Sequence, residues 1–151
     1  INRAWEESVD PNRKRVLQEN LLRLPDDKIA QLSPSEAFIQ SYIRSGPKAW
    51  YDPQFNSSKL WEGIEINMKM LSYMWGHVFR EIDITKGLDK FQKPVFLALG
   101  RYDYLVAPPS TWDLIRLKFH DLTIRIFEKS GHTPQYEQPL LFDKELLEWL
   151  E

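Results

Sequence analysis

Two short apolar runs late in the chain do most to limit what it can fold into. Val95-Phe-Leu-Ala-Leu99 follows Pro94 and precedes Gly100, and Leu122-Thr-Ile-Arg-Ile-Phe127 leads into Ser130-Gly131-His132. A continuous aliphatic and aromatic run of this length, bounded by proline and glycine, suits a strand covered on both faces. Between the two runs, Ser110 or Thr111 can cap a helix reaching about Phe119, with Trp112, Ile115 and Phe119 inward. A last helix runs from Pro139 to Glu151, with apolar positions Leu140, Leu141, Leu146, Leu147 and Leu150. Strand, helix, strand, helix implies a parallel pair joined by a right-handed crossover, since a tight hairpin cannot connect parallel strands. The fold class is α/β.

The sequence before this unit has a different texture. Asp10-Pro11 reads as an N-cap carboxylate followed by proline at the first helical position. Val16, Leu17, Leu21 and Leu24 then share one face, Arg13, Lys14, Arg15 and Glu19 are expected to face water, and Pro25-Asp26-Asp27 ends the helix. Ser33-Pro34-Ser35-Glu36 is a capping box opening a second helix, with Ala37, Phe38 and Tyr42 apolar and Gly46-Pro47 as its close. Lys48 to Phe55 is too aromatic for a free linker and too broken by Pro53 for a helix. Ser57-Ser58 can cap a segment through Glu62. Ile64 to Phe79 has helical spacing, with Ile64, Met68, Leu71, Trp75 and Phe79 on one stripe. Arg80 to Gln92 is a polar transition that turns at Gly87-Leu88-Asp89. The chain thus divides into a helical part, 1–88, and a βαβα part, 89–151. It begins at Ile1 inside helical-looking sequence, as expected of a processed start or a piece of a longer protein.

Composition removes several functions. A net charge of −2 gives no electrostatic footing for nucleic acid or an anionic membrane. No apolar run approaches the roughly 18 residues a spanning helix needs, and no signal peptide opens the chain. The absence of cysteine excludes disulfides, thiolate nucleophiles and Cys-based zinc sites and fits a reducing, cytoplasmic setting. The three histidines, His77, His120 and His132, show no metal-ligand spacing, so neither a metal nor another cofactor is expected.

Chemistry concentrates beyond the two strands. In open parallel sheets reactive groups lie just past the carboxyl ends of strands. Asp103 follows the first strand and His132 the second, so adjacent parallel strands would set both on one rim. A carboxylate there can accept an imidazole N–H, fix the tautomer and stabilise the imidazolium formed when the ring takes a proton. Taken singly, Asp103 could be a turn carboxylate and His132 a surface-loop histidine; matched positions after consecutive strands favour a pair.

The segment Pro94-Val-Phe-Leu-Ala-Leu-Gly100-Arg-Tyr-Asp103-Tyr-Leu-Val106-Ala-Pro108, followed by Ser130-Gly131-His132 with Glu137 and Pro139, resembles the C-terminal part of the α/β-hydrolases. The resemblance covers about residues 85–151 and extends loosely over 1–85, where such enzymes carry a helical cap. It implies that Asp103 is the triad acid and His132 the triad base, and that Glu137 and Pro139 tie down the loop and start the last helix. The aromatic-rich cap most resembles the proline iminopeptidase-like branch and its esterase relatives. On that reading Trp50, Tyr51, Phe55, Trp61, Tyr73 and Trp75 can line an apolar pocket for a small-molecule substrate, or else pack the cap core. Tyr104 and Val106 would shape the site wall. Glu62, Glu65 and Glu81 could meet a substrate amino terminus or simply be solvated. His77 has no acidic partner in view.

One departure from the pattern is large. A nucleophile elbow needs Gly-x-Ser-x-Gly, yet the glycines stand at 46, 63, 76, 87, 100 and 131, and no two lie four apart. The loop that would offer oxyanion-hole amides is missing as well. The expectation is therefore the cap and acid–base half of a serine-type hydrolase of small esters or peptide-like substrates, inactive alone. Dehalogenases and epoxide hydrolases of the same superfamily, which use an Asp nucleophile, remain an alternative, as does a non-catalytic protein-binding module. The strand at 95–99 should keep an unpaired edge, where the chain either self-associates or retains an N-terminal segment.

Overall fold

The two apolar runs pair. In the computed structural model, which describes residues 5, 6 and 9–151, β1 (Val95–Gly100) and β2 (Leu122–Phe127) form a parallel two-stranded sheet. Val95 lies opposite Leu122 and Gly100 opposite Phe127. The helical reading of the opening residues at 1–4, 7 and 8 lies outside the described residues. The twofold side-chain period puts Val95, Leu97, Leu99, Leu122, Ile124 and Ile126 on one face and Phe96, Ala98, Thr123, Arg125 and Phe127 on the other. Phe127 is the innermost of these, at 1% exposure. Residues 95–99 are only half-buried rather than covered on both faces, since β1 has one strand neighbour in this sheet.

The last helix covers the second of those faces. Phe142 brings its ring to 6.3 Å from Phe96 and 5.7 Å from Phe127, and Trp149 packs 5.6 Å from Phe96. Glu145 pairs with Arg125 along the same face. The inward stripe is therefore Phe142, Leu146 and Trp149 at i, i+4, i+7, which corrects the leucine face read from sequence: Leu140, Leu147 and Leu150 are 87%, 62% and 64% exposed.

The crossover is not an α-helix. It consists of 3₁₀ turns at Pro109–Trp112 and Arg116–Lys118. Thr111 spends its hydroxyl on the Pro108 carbonyl, 2.7 Å away, instead of capping a helix. Trp112, Ile115 and Phe119 are nonetheless the less exposed positions of the segment, with the Trp112 and Phe119 rings 6.4 Å apart, while Leu114 and Leu117 are each 84% exposed.

Upstream, α1 (Pro11–Arg23) and α3 (Pro34–Arg44), with the short turn α2 (Asp26–Ile29) between them, form as their start signals predict. Ser33 Oγ accepts from the Glu36 N–H at 3.3 Å. Arg13 does not face water. It is 4% exposed, and its guanidinium donates to the Pro47 carbonyl at 2.8 Å. A long aliphatic stem lets arginine reach a buried acceptor that would otherwise be unsatisfied. Asn56, rather than Ser57 or Ser58, caps the 3₁₀ segment Ser57–Trp61, accepting from the Ser58 N–H at 3.0 Å. Phe38, Tyr42 and Trp61 pack their rings together there.

Helix α4 (Met68–Tyr73) starts at Met68, not Ile64, because Asn67 accepts from the Met70 N–H at 3.0 Å. A π turn at Met74–Val78 and a final turn α5 (Phe79–Glu81) follow. The wider turn rotates later residues off the expected stripe, and Trp75 and Phe79 stand 56% and 52% exposed.

Packing sorts the chain into two compact units, Pro11–Pro47 with Pro53–Asp83, and Ile1–Asp10 with Lys48–Asp52 and Ile84–Glu151. Residues 48–52 thus pack with the sheet although helical sequence flanks them. Among the described residues, no helix is long and apolar enough to cross a membrane.

Candidate functional site

The site is built at the carboxyl ends of both strands. Beyond β1, the Arg101 N–H continues the ladder to the Phe127 carbonyl at 3.0 Å, and the Tyr102 N–H reaches the Ser130 carbonyl at 2.9 Å. An exposed fork from Arg101 to Glu128, at 2.9 and 2.7 Å, clips the two loops together on the outside. Gly100 permits this approach, since a Cβ there would stand 1.8 Å from the Gly131 carbonyl oxygen.

Asp103 is held by its own loop. Its Oδ1 accepts from the Leu105 N–H at 2.9 Å, a local turn that aspartate favours. Its Oδ2 lies 2.8 Å from His132 Nδ1. The base loop is fixed from the opposite side by two adjacent side chains. Gln138 Oε1 accepts from the Lys129 N–H at 2.8 Å and from the fully buried Ser130 hydroxyl at 3.0 Å. Glu137 Oε2 accepts from the Gly131 N–H at 2.6 Å.

This geometry gives each group a distinct state. The Asp103 side chain is 12% exposed and that of His132 47%. With Nδ1–H donated to Asp103, Nε2 is left as the proton acceptor. The Asp103 hydrogen bond raises the His132 pKa above its ordinary value; partial burial opposes this, and the charges of Asp103 and Glu137 add to the rise. Because the folded value is raised, the stabilisation from this pair is full below the ordinary pKa of about 6.5 and is lost as pH climbs through the folded one. Solvent screening keeps it small at a half-exposed ring. An NMR titration of the chain should place the His132 midpoint above the ordinary imidazole value of about 6.5, and Asp103→Asn should lower it; a midpoint at the ordinary value would contradict the pairing.

The other residues singled out from sequence separate. Trp50, Tyr51 and Tyr104 lie in the same unit as the pair, with Trp50 5.8 Å from Tyr136, Tyr51 5.0 Å from Tyr102 and Tyr104 5.3 Å from Trp5. Trp61, Tyr73 and Trp75 lie in the helical unit, where Tyr73 packs 5.2 Å from His77. Glu62, Glu65 and Glu81 are exposed there. Neither Gln138 nor the backbone of residues 48–51 stands out in the sequence as part of the site, because carbonyls and amides leave no residue-type signature. Among the described residues, no cluster of His, Asp or Glu is arranged to hold a metal ion.

No protein-family model matches the chain. The AB hydrolase superfamily protein YclE of Bacillus subtilis (strain 168) is 36% identical over 145 residues, covering 96% of this chain and 51% of that protein. An alpha/beta fold family hydrolase from Bacillus anthracis str. Sterne superposes on 91% of this chain and 48% of its own, with a TM-score of 0.58 at 19% identity. The fold is that of an α/β-hydrolase. YclE is named as a member of that superfamily, and the chain spans about half the length of each of these two proteins.

Proposed function

We propose that Asp103 and His132 are the acid and base of a serine-type α/β-hydrolase acting on small esters or peptide-like substrates, with the helical unit as its cap. The supporting observation is the 2.8 Å contact between Asp103 Oδ2 and His132 Nδ1 at the carboxyl ends of adjacent parallel strands. With that contact in place, Nε2 can take the proton of an attacking hydroxyl and return it to the leaving group, while Asp103 stabilises the intermediate imidazolium.

The nucleophile and oxyanion hole belong, on this reading, to sequence outside the 151 residues, since the chain has no Gly-x-Ser-x-Gly and spans 51% of YclE. Among the described residues β1 pairs with β2 alone, and its other edge is where the rest of the sheet, or failing that a second copy, would pair. A proline iminopeptidase-like or esterase specificity fits the aromatic residues Trp50, Tyr51 and Tyr104 of the site's own unit.

The test is hydrolysis of nitrophenyl esters and of a proline arylamide. The full-length protein should turn over one of these, and the 151-residue chain should turn over neither, because an acid–base pair without nucleophile and oxyanion hole lacks most of the catalytic power. Efficient turnover by the chain alone would remove this reading, and so would an inactive full-length protein across both substrate classes.

A further inference from the structure

Residues 48–52 make contacts that neither strand requires. Lys48 and Ala49 offer consecutive carbonyls: that of Lys48 accepts from the Tyr104 N–H at 2.8 Å, that of Ala49 from the His132 N–H at 2.6 Å. One receives the residue after the acid, the other the base itself. Two residues on, the Tyr51 N–H donates to Glu137 Oε1 at 2.6 Å, while Glu137 Oε2 takes the Gly131 N–H. Ala49 is buried, and Gly131 lies so close to it that a Cβ would stand 2.0 Å from the Ala49 oxygen.

From these contacts we infer that Lys48–Asp52 is a positioning strap that sets the separation of Asp103 and His132, and that Glu137 is its clasp. The inference rests on the acid–base reading of that pair and adds backbone groups of the strap and the Glu137 carboxylate, which touch none of the reacting atoms. Lys48 ends the 3₁₀ turn Gly46–Lys48, and the carbonyls of consecutive residues are a few ångströms apart by covalent geometry. Seating the acid loop on one and the base loop on the next therefore fixes their spacing through the backbone. A carboxylate is the side chain suited to the clasp, since it accepts two amides at once, whereas a carboxamide offers one acceptor oxygen.

Two variants of the 151-residue chain test this. Tyr51→Pro removes the strap's amide donor and leaves the Glu137 charge in place. Glu137→Gln keeps the side-chain shape and removes one acceptor. Both should speed hydrogen exchange of the His132 amide by about tenfold, the equivalent of one lost hydrogen bond. Both should also lower the His132 titration midpoint. In full-length protein they should lower kcat more than they change KM. The strap is refuted if folded Tyr51→Pro keeps the exchange and titration of the parent chain. If Tyr51→Pro does not fold, Glu137→Gln decides, and faster exchange confined to Gly131 refutes it. Exchange and titration need no nucleophile, so they can fail or succeed independently of the hydrolase reading, which the activity assays test.

Discussion

Replacing His132 with alanine in the full-length protein should lower kcat on an activated ester by about 10⁴-fold, with KM changed only a few-fold. The size follows from what the ring would do. It is the group at the strand rim with a free acceptor nitrogen facing away from a bound carboxylate. Without it, a hydroxyl nucleophile keeps its proton at neutral pH. Asp103→Asn should approach the same loss by another route. An amide can donate to Nδ1 and so stabilise the wrong tautomer, and it cannot offset the imidazolium charge. In wild type the rising limb of kcat/KM should lie above pH 6.5, because His132 must be neutral to act and its pKa is raised. Neither substitution should unfold the protein, since the His132 side chain is 47% exposed and Asp103 keeps its Leu105 contact through the isosteric Asn. Circular dichroism checks the fold and steady-state kinetics the loss. A decrease smaller than tenfold for His132→Ala would mean that the pair does not carry the proton.

Gly131→Ala should destabilise the fold strongly for a one-carbon change. The added Cβ would stand 2.0 Å from the Ala49 oxygen, 2.6 Å from its carbonyl carbon and 2.9 Å from the Trp50 nitrogen. All three are backbone atoms, so no rotamer change can relieve the overlap; either the strap or the base loop must move. Gly100→Ala meets the same obstacle from the strand side, 1.8 Å from the Gly131 oxygen. Overpacking of this kind costs about 3 kcal/mol or more, a large share of the ~5–15 kcal/mol that holds a domain together. Gly76→Ala is the control. It lies in the helical turn Met74–Val78 with nothing within 4 Å of a built Cβ, and it should be neutral or gain up to about 1 kcal/mol. Urea unfolding of the three variants measures the contrast. Equal midpoints for Gly131→Ala and Gly76→Ala would show that the two loops are not in contact.

The parts of this fold that were legible in the sequence are those where a local pattern and a tertiary requirement coincide. Val95–Leu99 and Leu122–Phe127 read as strands because a buried strand has few other ways to look, and their parallel pairing followed from the length between them. The Asp103–His132 pair was legible because each residue follows a strand end by a few positions. The crossover was misread because Ser110 and Thr111 have the right side chains for an N-cap but the Thr111 hydroxyl bonds backward to Pro108. Arg13 looked solvated because charge alone cannot reveal a buried carbonyl 34 positions away. The last helix was assigned its leucines over Phe142 and Trp149 because composition does not say which stripe meets an aromatic sheet face. Residues 48–52 were assigned to the helical part because their role is carried by carbonyls and amides that every sequence possesses.

The contact between Tyr51 and Glu137 joins positions 86 residues apart, against 29 for the acid and base themselves. Closing a loop of that size opposes folding by on the order of 4 kcal/mol of chain entropy, and such long-range contacts slow folding. The helices and the strand pair draw on nearer neighbours. A chain leaving the ribosome exposes residues 48–52 long before Glu137 exists to receive them. The acid–base geometry is therefore completed only when the last stretch of the sequence has been made and folded back onto its first third.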